Sequence, residues 1–124
     1  MDRAKRDIFI LKKIAKYCEE IAETHNNFGN AYENFQNNKD YFKSVAMSLL
    51  QIGELANHLS KNFQKKYYDI PFGLIIGLRN IVVHGYGKLK TETLWKISQE
   101  DAPALQNRCL EILAENALKN NETN

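Results

Sequence analysis

Tyr41-Phe42-Lys43-Ser44-Val45-Ala46-Met47-Ser48-Leu49-Leu50-Gln51-Ile52-Gly53-Glu54-Leu55-Ala56-Asn57-His58-Leu59-Ser60-Lys61-Asn62-Phe63 is the stretch that decides the fold. Tyr41, Val45, Leu49, Ile52, Ala56, Leu59 and Phe63 recur at steps of four and three for more than twenty residues. That spacing lines apolar side chains along one face of a helix with 3.6 residues per turn. Ala46 and Gly53 lie beside the stripe, where small residues let a second helix come close; a glycine in an exposed helix would only cost about 1 kcal/mol. One long amphipathic helix over 41–63 is therefore predicted, with other helices covering its apolar side.

Upstream, Ile8, Leu11, Ile14, Ala15, Cys18, Ile21 and Ala22 keep the same steps and predict a helix from about Arg3 to Thr24. His25-Asn26-Asn27-Phe28-Gly29-Asn30 and Asn37-Asn38 are turn-forming, and Ala31 to Phe35 between them suits a short helical piece. Downstream, Asp69-Ile70-Pro71 supplies a candidate N-cap and an early proline for a third helix through Phe72, Ile75, Ile76 and Leu78, ending near Gly85 or Gly87. Thr91-Glu92-Thr93 reads as the capped start of a short helix with Leu94, Trp95 and Ile97. Asp101 followed by Pro103 then reads as the cap of a last helix with Leu105, Cys109, Ile112 and Leu113. Ile81-Val82-Val83 is too short for a strand and continues a helical pattern. The predicted fold is all-α: an up-and-down antiparallel bundle of four long helices plus a short helix, one domain over 1–118 with a polar tail, 119–124, that frays.

A chain of 124 residues with 44% hydrophobic and 26% charged residues suits one globular domain. Seventeen basic residues nearly balance fifteen acidic ones, and a net charge of +2 does not argue for nucleic acid by itself. Any nucleic-acid reading must rest on a local site; Lys88 and Lys90, with Lys61, Lys65 and Lys66, are either a phosphate path or solvated helix faces. Cys18 and Cys109 match no zinc spacing and fall on apolar stripes, so they read as buried small hydrophobes in a reducing compartment. The charged start Met1-Asp2-Arg3-Ala4-Lys5-Arg6-Asp7 is unlike a signal peptide, and no run approaches the roughly 20 apolar residues that span a bilayer. A cytoplasmic protein that makes no membrane contact is expected.

The chemistry concentrates in Arg79-Asn80-Ile81-Val82-Val83-His84-Gly85-Tyr86. His84 falls at the expected end of the third helix, where a side chain can leave the core, and an imidazole with a pKa near 6.5 can take a hydroxyl proton and return it. Asn80, four residues earlier, shares its helix face. Arg79 is five earlier and is expected to face elsewhere unless the last turn is distorted or a second subunit completes the site. A base, plus a guanidinium whose planar fork holds two phosphate oxygens, suits attack of a ribose 2′-hydroxyl on the adjacent phosphorus without a metal. Glu54 on the mostly apolar 41–63 helix needs a partner, and Arg79 is the candidate, whether to orient the arginine or as a structural ion pair. His25 and His58 do not read as catalytic. Glu54 and His58 lack the further glutamates of metal-binding bundles, so neither metal nor cofactor is expected.

The string Arg79-Asn80-Ile81-Val82-Val83-His84-Gly85-Tyr86 resembles the R-N-x-x-x-H-x-Y signature of the HepT branch of HEPN domains. Leu50-Gln51-Ile52-Gly53-Glu54-Leu55-Ala56, Ile70-Pro71-Phe72, Ile75-Ile76-Gly77-Leu78, Leu94-Trp95-Lys96-Ile97 and Asp101-Ala102-Pro103-Ala104-Leu105 are similar to its other blocks. The resemblance is strong from about Ser48 to Leu113; Phe72 stands for the usual tryptophan and Gly73 for a polar residue, departures that touch packing. It implies a HEPN-like bundle and a metal-independent ribonuclease toxin of a type II (type VII-like) toxin–antitoxin pair, with Arg79 and His84 catalytic. Asn80 then positions the histidine or the phosphate. The resemblance also implies a homodimer whose composite cleft acts on RNA such as tRNA or mRNA. A minimal nucleotidyltransferase antitoxin would silence it by attaching AMP to Tyr86. The alternative is an inactive HEPN module that binds a nucleotidyltransferase or nucleic acid.

Overall fold

The computed structural model describes residues 2–84 and 87–123, and for 87–89, 122 and 123 the backbone alone. Every regular element among the described residues is helical: α1 (Arg3–Asn27), α2 (Tyr32–Asn37), α3 (Lys39–Asn57), α4 (Lys61–Lys66), α5 (Phe72–Ile76), α6 (Leu78–His84), α7 (Gly87–Lys96), a π-helical turn (Ile97–Asp101) and α8 (Ala102–Thr123). This is the all-α bundle that the periodicity predicts, consistent with the HEPN-like fold that the resemblance implies. α1 packs along α3 and α8, and α3 in turn carries α5 and α6 on its other side. The 25-residue α1 is capped by Asp2, whose carboxylate accepts from Lys5 N at 2.8 Å. Its stripe of Ile10, Leu11, Ile14, Ala15, Cys18 and Ile21 is buried, as are Tyr41, Val45, Leu49, Ile52 and Ala56 of α3. Removing each such large aliphatic side chain from water stabilises the fold by about 1.5–3 kcal/mol.

The stripe predicted as one helix over 41–63 is two. α3 stops at Asn57 and α4 restarts at Lys61, although Leu59 and Phe63 remain buried. The cause lies 53 positions away in sequence: Asp7, on the buried face of α1, accepts from Ser60 N at 2.8 Å and from Ser60 Oγ at 2.6 Å. The Ser60 amide is thereby taken from the helical ladder, and the Ser60 hydroxyl oxygen accepts from Phe63 N at 3.1 Å to cap α4.

The third predicted helix is also split, into α5 and α6 around Gly77, where Asn80 N donates to Gly77 O at 3.0 Å in a tightened i→i−3 turn. Its start is Phe72, with Pro71 in the cap position and no side-chain cap. Asp69 is instead held by Arg108 of α8, Nε to Oδ2 at 2.7 Å. Asp101 is no cap either: α7 runs into α8 through the π-helical turn, whose Ala102 amide donates to Ile97 O, five residues back. Pro103 has no amide to give and its ring crowds the carbonyl four residues earlier, so a widened turn just before it relieves the clash without ending the helix. The segment expected to fray is helical to Thr123.

The wider turn holds Ser98, 1% exposed, against His25 at the end of α1. Ser98 Oγ donates to Trp95 O at 2.7 Å, so it accepts from His25 Nε2 at 3.0 Å, and His25 Nδ1 is left to accept from the Tyr41 hydroxyl. Trp95 and Tyr41 meet the imidazole edge-on, and Phe28, Tyr32 and Phe35 complete an aromatic cluster around them. The end of α1, the start of α3 and the α7–α8 junction are thus joined at one buried polar point.

Candidate active site

α6 carries the site because its two sides differ. Leu78 is buried and Ile81 and Val82 are half-buried against the core, whereas Arg79, Asn80, Val83 and His84 are exposed. At 3.6 residues per turn these four occupy an arc of about 140°, in the order Arg79, Val83, Asn80, His84. Arg79 and His84 therefore mark the two edges of one solvent-facing strip. As the five-residue spacing predicts, the two side chains leave α6 about 140° apart and so face different directions, although both are exposed.

α3 fixes the arginine. Arg79 Nε lies 3.1 Å from Glu54 Oε1, the pairing expected from sequence. Neighbouring Gly53 makes the approach possible: a Cβ there would lie 3.0 Å from Ile75 O and 3.4 Å from Arg79 N, so only glycine lets the α5–α6 backbone lie this close to α3. The Arg79 side chain is 66% exposed and that of Glu54 40%, so solvent screens the pair and its contribution to stability is small, about 0–1 kcal/mol. Its consequence is orientation. Nε is the closest atom to Glu54, and among the described residues neither terminal nitrogen of the guanidinium makes a hydrogen bond, which leaves the planar fork open to an anion.

At the other end of α6, Lys90 Nζ donates to Val82 O at 2.6 Å and stands 5.7 Å from the centre of the Phe42 ring. A cation on a final carbonyl suits the negative end of a helix and anchors the turn that carries His84. Lys90 thus belongs to the framework of the site, a role the sequence reading did not assign. Lys66 lies over the Tyr67 ring, while Lys61 and Lys65 are exposed. Asn80 is one turn from His84, yet no side-chain hydrogen bond joins the two among the described residues. Tyr86 lies outside the described residues, as does the Lys88 side chain. Among the described residues no group of three His, Cys, Asp or Glu side chains is placed to hold a metal ion, and no helix is long and apolar enough to cross a membrane.

A bundle that offers an open guanidinium fork and an exposed imidazole on one short helix has the groups for phosphodiester chemistry. Residues 13–120 match the family model described as Ribonuclease HepT-like, and the chain belongs to that family of ribonucleases. A Methanocaldococcus jannaschii protein provisionally named an RNase is 31% identical over 110 residues, covering 88% of this chain and 89% of that protein. Another from the same organism, named in the same way, is 36% identical over 75 residues, 60% of this chain and 69% of its own. A Thermococcus cleftensis protein named probable ribonuclease HepT is 28% identical over 108 residues, 87% of this chain and 94% of its own. No solved structure matches the chain.

Proposed function

We propose that this protein is a metal-independent ribonuclease in which His84 and Arg79 act on one phosphodiester. The observation that carries the reading is the exposed α6 strip, with Arg79 Nε 3.1 Å from Glu54 Oε1 and, among the described residues, no hydrogen bond from its terminal nitrogens. In the proposed reaction His84 takes the proton of a ribose 2′-hydroxyl, and the oxygen attacks the neighbouring phosphorus. The 5′-oxygen leaves, taking a proton from an imidazolium, while Arg79 compensates the charge on the non-bridging oxygens. The products are a 2′,3′-cyclic phosphate and a free 5′-hydroxyl. Pairing of two chains through their α6 helices would bring both arginines and both imidazoles to one cleft, so that base and acid come from different subunits. Asn80 serves to position the imidazole or the phosphate.

The family assignment supports a toxin-like role. In this reading the partner is a minimal nucleotidyltransferase that transfers AMP to Tyr86, two residues past His84, and the added phosphate blocks RNA by charge and bulk. Expression of wild type, Arg79→Ala and His84→Ala chains, with RNA ends sequenced from the same cells, tests the nuclease. Growth arrest and new cyclic-phosphate ends are expected for wild type alone. Cleavage that persists in His84→Ala would overturn the assignment, and absence of any cleavage by wild type would leave a binding module.

A further inference from the structure

We infer that the cleft between the start of α1 and the α3–α4 junction is a second RNA contact, taking backbone phosphates of the strand that extends from the α6 site. This rests on RNA being the substrate. The cleft, about 300 Å³, is lined by Arg3, Arg6, Asp7, His58, Lys61 and Asn62 among others. Arg3, Arg6 and Lys61 are exposed and make no ion pair among the described residues. Asp7, the acidic group that lines the cleft, has both oxygens engaged by Ser60. The cleft is thus cationic and its one carboxylate is turned to the fold.

The position of the cleft supports a phosphate strand. Arg3 and Arg6 stand in the first turns of α1, whose cap is Asp2, and Lys61 opens the six-residue α4. His58, the C-cap of α3, is four residues beyond Glu54, about one helical turn or 6 Å further along. Glu54 holds Arg79, so the cleft begins roughly one helical turn from the arginine of the proposed active site. A polyanion laid along this face meets Arg79 at one end and the cluster at the other, which a free phosphate or a compact nucleotide could not do.

The test uses the full chain with His84→Ala, so that RNA stays intact, and the triple variant Arg3→Gln, Arg6→Gln and Lys61→Gln on the same background. Binding of a labelled single-stranded RNA is followed against salt, alongside thermal unfolding. Expected are affinity reduced about tenfold or more, a log–log salt slope shallower by about 2 for three phosphate contacts, and a Tm that does not fall. A structural role would lower Tm instead. An unchanged slope overturns the inference, as does loss of binding to anionic vesicles or an acidic phosphopeptide without loss of RNA. Cleavage is read separately with His84 intact. Wild-type failure to cut RNA, with the salt slope still dependent on the three cations, sinks the nuclease reading and keeps the cleft.

Discussion

Gly53 of α3 and Arg79 of α6 lie in backbone contact, with the position of a Cβ on residue 53 only 3.4 Å from the Arg79 amide nitrogen and 3.0 Å from Ile75 O. The site therefore depends on a missing methyl group one residue before Glu54. In Gly53→Ala the higher helix propensity of alanine, about 1 kcal/mol, offsets the push of α5–α6 outward by a few tenths of an ångström. The expected result is stability within about 1 kcal/mol of wild type with a clear loss of RNA cleavage. Gly53→Leu should lower stability by about 1–3 kcal/mol through overpacking, read by urea unfolding. Full activity in both variants would show that the close approach does not position Arg79.

Glu54 and Arg79 are too exposed to hold the bundle together, so their replacement separates activity from folding. Arg79→Lys keeps the charge but loses the fork, and is expected to reduce cleavage by about tenfold or more while unfolding within about 0.5 kcal/mol of wild type. Glu54→Gln should reduce cleavage less, because it removes an exposed, solvent-screened ion pair and leaves the guanidinium itself in place. Chemical denaturation alongside single-turnover cleavage checks both.

Acid sensitivity should arise at His25 and be independent of RNA. Burial pushes this imidazole below its ordinary value, partly countered by the Ser98 contact. The unfolded chain then binds a proton that the folded chain refuses, so stability is fully present above the unfolded pKa near 6.5 and falls as the pH drops below it. Urea midpoints measured from pH 7.5 to pH 5 should fall for wild type, and the His25→Gln variant, less stable at pH 7.5, should show a weaker dependence. Ser98→Ala should lose about 1–3 kcal/mol because the buried Nε2 donor loses its acceptor.

The two thiols should be inert in the native protein. Burial pushes Cys18 and Cys109 each up to about 12, and Cys18 is raised further by its neighbour Cys109. A thiol reagent at pH 8 is expected to label neither until denaturant is added. Rapid labelling of the folded chain would mean that the α1–α8 interface opens readily.

Much of this was readable from periodicity. Tyr41, Val45, Leu49 and Ile52 on one face, and Leu11, Ile14 and Cys18 on another, place α3 and α1 from spacing alone. The Glu54–Arg79 pair follows from a carboxylate on a mostly apolar helix. What periodicity could not show are interactions across long stretches of sequence. The stripe through Leu59 and Phe63 continues in register, and only the Asp7–Ser60 contact breaks the backbone beneath it. A trace of this was present: Asp7 sits four positions before Leu11 on the buried face, where an unpaired carboxylate is costly. The π-helical turn before Pro103 was hidden for a related reason, since Asp101 and Pro103 together imitate a helix start. His25 read only as non-catalytic, and its structural role was hidden because its partners Tyr41 and Ser98 lie 16 and 73 residues away. The arc shared by Arg79 and His84 needed only the knowledge of which side of α6 meets the core.

One carboxylate decides whether residues 39–66 form a single rod or a bent pair. If Asp7 is replaced by alanine, the Ser60 amide is free to rejoin the ladder, and the stripe through Leu59 and Phe63 already favours a straight continuation. Straightening would swing Lys61 away from Arg3 and Arg6. The hinge of the bundle is thus set by the opening helix, and any factor that unwinds the first turns of α1 would also reshape the groove beside α3.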